Sequence, residues 1–126
     1  MSTLKTSNIQ DTNGNNNSTP AEISQGRAKA WAYFDGTGTP SVVNGYNVDT
    51  IDDGGDGKYT LNFTTAMANA NYCPVSMSVK SSSQTQSRHI TYAGGTKSTT
   101  QLQVELEIGN GTNYDLDTVF VAVFGD

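Results

Sequence analysis

Long hydrophobic runs are missing from this sequence, as are most of the residues from which catalytic and metal sites are built. No apolar stretch approaches the roughly 18 residues that cross a bilayer, and no apolar segment follows Lys5 as in a signal peptide. A chain made in a cytoplasm, without membrane insertion, is expected. Cysteine occurs once, as Cys73, so no internal disulfide can form and the fold relies on packing or on partner chains. Basic residues are few: the seven lysines and arginines are spread thinly along the chain and the net charge is −5. That balance leaves no electrostatic footprint for nucleic acid. Charged residues make up only 15% and hydrophobic ones 34%, both below the usual globular share. With Lys and Glu scarce, helices are disfavoured.

Thr, Asn, Ser and Gly fill the space, and they favour strands joined by turns. A length of 126 residues holds one domain with a modest core. Residues 1–25 include a run, 11–20, without any large apolar side chain, flanked by Leu4, Ile9 and Ile23. Such a segment cannot build a core, and it is read as an extended arm whose isolated apolar residues dock onto another protein. From Ala28 onward, short apolar runs recur about every ten residues between Gly, Asn and Asp, the spacing of a sandwich or small barrel.

Seven or eight strands are expected. Residues 28–34 place Ala28, Ala30, Ala32 and Phe34 on one face and Lys29, Trp31 and Tyr33 on the other, and either face could be inner. Residues 41–43 and 46–51 flank Asn44-Gly45, a two-residue hairpin signal. An Asp/Gly turn at 52–57 leads to residues 58–63, with Tyr59, Leu61 and Phe63 on one side, completing a predicted three-stranded meander. Residues 72–80 alternate Cys73, Val75, Met77 and Val79 against polar positions, a half-buried strand that Pro74 assigns to an edge. Residues 88–92 form a weaker strand. Residues 101–108 alternate most cleanly, Leu102, Val104, Leu106 and Ile108 inward and Gln101, Gln103, Glu105 and Glu107 outward. Residues 118–124 are apolar on both faces, which makes that strand central or part of an interface. The expected fold is all-β, a small antiparallel, jelly-roll-like β-sandwich over 26–126 preceded by the extended arm of 1–25.

Candidate chemistry is sparse. Asp49, Asp52, Asp53 and Asp56 lack the alternating spacing and distant Glu of a calcium loop and read as a turn. Cys73 and His89 lack a third, orienting group, and Cys73 is expected as a buried thiol. Glu105 and Glu107 sit on a strand face opposite its apolar side, where solvated sheets carry charge rather than a glycosidase pair. Gly36-Thr37-Gly38-Thr39 lacks the lysine and helix of a phosphate loop and connects two strands. No catalytic residue, cofactor or metal is expected. Tyr92, Asn110 and Tyr114 lie in turn-rich segments where rings beside amide side chains could stack on a glycan.

The opening Ser2-Thr3-Leu4-Lys5 with Ile9-Gln10-Asp11-Thr12 is similar to the N-terminal peptide of tail-fibre and virion-surface proteins of marine podoviruses, those of cyanobacteria and pelagic bacteria. The run from Gly26-Arg27-Ala28-Lys29-Ala30-Trp31 through Phe34-Asp35-Gly36-Thr37-Gly38-Thr39, Tyr46-Asn47-Val48 and Tyr59-Thr60-Leu61-Asn62-Phe63-Thr64 resembles the same family. So do Asn69-Ala70-Asn71-Tyr72 and the ending Val121-Ala122-Val123-Phe124-Gly125-Asp126. This resemblance implies a non-enzymatic structural protein of the virion, usually a symmetric oligomer and most often a trimer. The chain departs from long tail fibres in having no extended shaft. The expected function is therefore that of a phage virion structural protein, with the arm, through Leu4, Ile9 and Ile23, anchoring an oligomeric β-domain to capsid or tail proteins. The alternative is a receptor-binding knob that holds a host surface glycan.

Overall fold

The computed structural model describes residues 1–78, 88–91, 95–108 and 111–125. Among these residues the chain forms one helix, α1 (Pro20–Gly26), followed by the strands β1 (Ala28–Asp35), β2 (Ser41–Tyr46), β3 (Thr50–Asp53), β4 (Lys58–Asn62) and β5 (Cys73–Ser78). Strands β6 (Arg88–Thr91), β7 (Gln101–Ile108), β8 (Thr112–Asn113) and β9 (Val119–Phe124) complete it. They build two antiparallel sheets packed face to face, one in the order β2-β1-β9-β5 and the other β3-β4-β7-β6, with β8 added to β7. The fold is the expected all-β sandwich. The chain enters the first sheet with β1 and β2, crosses for β3 and β4, returns for β5, crosses again for β6 to β8 and ends on β9. Strands from the two ends of the domain, β1 and β9, thus become central neighbours, with Ala32 opposite Val121.

Alternation decides what is inside. Ala30, Ala32 and Phe34 of β1, Val119, Val121 and Val123 of β9, Tyr59 and Leu61 of β4, and Leu102, Val104 and Leu106 of β7 are all buried. Phe34 meets Tyr59 edge to face with ring centroids 5.2 Å apart, joining the two sheets through the middle of the core. Phe63, Met67, Tyr72 and Leu116, from outside the strands, belong to the same core. The choice that the sequence left open on β1 is settled: the small alanines face in, and Trp31 and Tyr33 face out.

Three local expectations are corrected. Asn44-Gly45 is not a hairpin turn but lies inside β2, where Gly45 pairs with Ala32. A Cβ on Gly45 would come within 2.9 Å of the Trp31 carbonyl, so glycine there serves close strand approach. The reversal comes instead at Asn47 (φ 57°), whose amide donates to the carbonyls of Lys29 and Thr65 at 3.1 and 3.0 Å. The chain then leaves for the other sheet, so β2 does not join β3 and β4 in a meander.

The second correction concerns β5. It is an edge strand, as Pro74 indicated, but Cys73, Val75 and Met77 pair with the outward Phe124, Ala122 and Phe120 of β9 and are exposed. Cys73 is therefore not a buried thiol. A period of two groups residues onto one side without saying which side is inner. The third correction is α1, a helix inside the segment read as an extended arm. Thr19 caps it, accepting from the Glu22 amide at 3.2 Å while Glu22 Oε2 accepts from the Thr19 amide at 2.7 Å, with Pro20 in the first turn.

The turn at 52–57 joins β3 to β4 as expected. The Gly54 amide donates to the Lys58 carbonyl at 2.8 Å, the Lys58 amide donates to the Gly55 carbonyl at 2.8 Å, and Asp53 accepts from the Gly55 amide at 2.8 Å.

Candidate interaction surface

The outward faces of the two sheets differ in kind. On β3-β4-β7-β6 the cross-strand rows are polar: Thr50, Asn62 and Gln101 stand side by side, as do Asp52, Thr60 and Gln103. Asn62 donates to Thr50 Oγ1 at 3.0 Å and to Asp52 Oδ2 at 2.9 Å, and Gln101 donates to Asn62 Oδ1 at 3.0 Å. Lys58 lies 3.7 Å from Glu105 in the next row. The polar groups of this face satisfy one another across the strands, as on a solvated sheet surface.

Among the described residues, the outward face of β2-β1-β9-β5 carries no such network. Register places Met77, Phe120, Tyr33 and Asn44 in one row and Val75, Ala122, Trp31 and Tyr46 in the next. Phe120 and Tyr33 pack with ring centroids 5.0 Å apart. Met77 is 65%, Tyr46 58%, Val75 48% and both Trp31 and Phe120 37% exposed. Between them is a shallow concavity of about 460 Å³ lined by Trp31, Tyr33, Val75, Met77, Phe120 and Ala122. Scattered exposed apolar residues are ordinary on a protein surface, whereas a continuous patch across four strands makes this face the candidate interaction surface. The signal in the sequence was partial. The two apolar faces of β9 indicated a central strand or an interface, and β9 is central, but the contributions of β1 and β5 depended on knowing which of their faces was inner.

The three residues expected to attach the arm come together. Ile9 and Ser18 exchange backbone bonds of 2.8 Å, closing a loop whose turn is held by Asp11, which accepts from the amides of Asn13 and Asn15 at 2.9 and 2.8 Å. Leu4 and Ile9 are thereby placed beside Ile23 of α1, and all three, exposed, line a groove of about 550 Å³ with Pro20 and Arg27. The extended peptide of the sequence reading is in fact partly folded.

Of the glycan candidates, Tyr92 and Asn110 lie outside the described residues. Tyr114 is exposed and follows β8, its amide donating to Leu106 at 3.2 Å. The His89 side chain also lies outside the described residues. Among the described residues, no group of three or more His, Cys, Asp or Glu side chains is placed to hold a metal ion.

Among the described residues, the group whose pKa is displaced furthest serves the fold. The Tyr59 hydroxyl sits 2.8 Å from Asp115 Oδ1 and 2.9 Å from the Gly36 carbonyl, and Asp115 also accepts from the Gly57 amide at 2.8 Å. Burial, then the hydrogen bond to Asp115 and its negative charge, hold this phenol protonated well above its ordinary range. At the rim of the apolar face, Asp35 accepts from the Thr37 hydroxyl and amide at 2.6 and 2.8 Å, which keeps its carboxyl below the usual value.

No protein-family model matches the chain, and neither a curated protein nor a solved structure does.

Proposed function

We propose that this chain is a structural module of a phage particle that works by assembly: residues 1–25 attach it to capsid or tail proteins, and the β-sandwich is completed by protein packed on one of its two sheets. The observation that carries this reading is the contrast between the two outward faces. A domain whose one sheet surface is a hydrogen-bonded polar ladder, and whose other is bare Trp, Tyr, Phe, Met and Val, is finished by a partner on the second. The resemblance to virion-surface proteins supplies the setting, a particle, and the usual form, a symmetric oligomer with trimers commonest. The groove shared by Leu4, Ile9 and Ile23 supports a separate point of attachment, because its apolar lining stays exposed when the segment folds back on itself.

The test is incorporation. Particles produced with a chain lacking residues 1–25 are expected to contain none of it, while the truncated protein retains a β-type circular dichroism spectrum and a cooperative melt. Undiminished incorporation of the truncated chain would remove the anchoring role.

A further inference from the structure

We infer that the outward face of β2-β1-β9-β5 is the seam along which copies of this chain pack on one another. The inference rests on the assembly reading above and names its partner. Charge is the first argument. The chain carries a net charge of −5, so two copies repel wherever their ordinary surfaces meet. The four strands of this sheet contain only two charged residues, Lys29 and Asp35. These two are of opposite sign, lie near opposite ends of β1, and alternate with the buried Ala30, Ala32 and Phe34, which places them on the outward side. Each is satisfied within the chain, Lys29 by Ser24 at 3.0 Å and Asp35 by Thr37. The face therefore has no net charge and no charge in its interior, and a second copy can be brought onto it without opposing like charges. A foreign partner selected by electrostatic complementarity would find nothing there to read.

Chemistry and size are the second argument. Sheets pack well on sheets at a spacing of about 10 Å when both faces are apolar, and the outward rows of β1 and β9 repeat on the outside what their inward rows do in the core. An identical copy offers a face of the same width and composition. A rectangle of four strands spaced about 4.8 Å and six residues rising about 3.3 Å each covers on the order of 400 Å². Two copies together then bury on the order of 800 Å², to which exposed side chains such as Met77 and Tyr46 add, against the roughly 1,000 Å² that a specific contact needs. The residues closest to the centre, Trp31, Tyr33 and Phe120, are of the aromatic type that dominates such contacts.

Sedimentation equilibrium of the purified full-length chain at micromolar concentration tests this. The expected mass is a small multiple of the 13.4 kDa protomer. Met77→Glu, at an exposed position on an edge strand, is expected to weaken association at least tenfold with an unchanged circular dichroism spectrum, whereas Thr60→Lys on the polar face leaves the mass unchanged. Cys73 gives a second readout. It shares the outward side of β5, so its reaction with an aromatic disulfide is expected to be slow in the wild-type oligomer and fast in Met77→Glu. A wild-type chain that sediments as a monomer overturns the inference, as does an oligomer indifferent to Met77→Glu whose Cys73 reacts at the rate of a free thiol. Flotation of a monomeric wild-type chain with phosphatidylcholine vesicles would likewise overturn it, in favour of a lipid surface. A monomer that enters particles only when residues 1–25 are present would defeat self-packing while leaving the assembly role standing.

Discussion

Tyr59 shows what single residues contribute to this fold and how much of that a sequence discloses. Its inward direction was legible, because Tyr59, Leu61 and Phe63 alternate with polar neighbours. Its partner was not: Asp115 is 56 positions away, and alternation reports the side of a strand rather than what waits there. The hydroxyl ties the corner after β1 to Asp115 in the loop before β9, and Asp115 in turn holds the Gly57 amide of the turn before β4, so Tyr59→Phe leaves the Gly36 carbonyl and Asp115 without this donor. A loss of about 1–2 kcal/mol is expected in urea unfolding at neutral pH. The sign of the pH dependence follows from the raised pKa. The folded state favours the protonated phenol, so this contribution is intact below the ordinary phenol range and is lost as pH rises through it and beyond. In a spectrophotometric titration the Tyr59 phenol is expected to stay protonated through the range in which exposed phenols ionise, until the protein unfolds. Gly36 is bound into the same point. A Cβ there would lie 2.9 Å from the Leu116 carbonyl and 2.5 Å from the Tyr59 hydroxyl, so Gly36→Ala is expected to cost about 1–3 kcal/mol through overpacking.

At the scale of elements, strands were legible where alternation was long and one-sided, and misread where a local signal competed with tertiary contact. β7 was expected over the residues it occupies because four apolar positions alternate with four polar ones. Asn44-Gly45 carries the composition of a tight turn, yet the pairing of β2 with β1 overrides it and moves the reversal to Asn47. Helix α1 was missed although its signals are local: Thr19-Pro20-Ala21-Glu22 is a capping box with proline at the first helical position. A segment without apolar periodicity was read as an extended arm, when capping rather than burial defines this helix, none of whose residues is buried. The Glu22 carboxyl is held below its usual range by the Thr19 amide first and the Thr19 hydroxyl second. A lowered pKa means that the cap is fully present above the ordinary carboxylate value and is lost as pH falls through the lowered one. Carboxyl resonances followed by NMR on acidification are expected to give Glu22 a midpoint below that of an unperturbed glutamate. Thr19→Ala, which keeps the amide and removes the hydroxyl, should raise it part of the way toward the ordinary value, and an unchanged midpoint in that variant would show that the hydroxyl does not contribute.

For the molecule as a whole, the decisive property is a division of labour between two sheets of similar size. The sequence disclosed that division in part, through a last strand apolar on both sides, but showed neither that β5 turns its cysteine, valine and methionine outward nor that β1 turns out its tryptophan. Those directions follow from pairing with β9, a contact between strands from distant parts of the chain. The division also fixes how association responds to ionic strength. If copies of an acidic chain meet on an uncharged apolar face, added salt screens the repulsion between their remaining surfaces, while no attractive ion pair in the seam is weakened. The association constant is then expected to rise as sodium chloride is increased, and to rise further in sodium sulfate, which strengthens apolar burial. A contact held by Lys29, Asp35 or other charged groups would show the reverse slope. Sedimentation of the wild-type chain across a salt series therefore distinguishes an apolar seam from an electrostatic one without altering any residue.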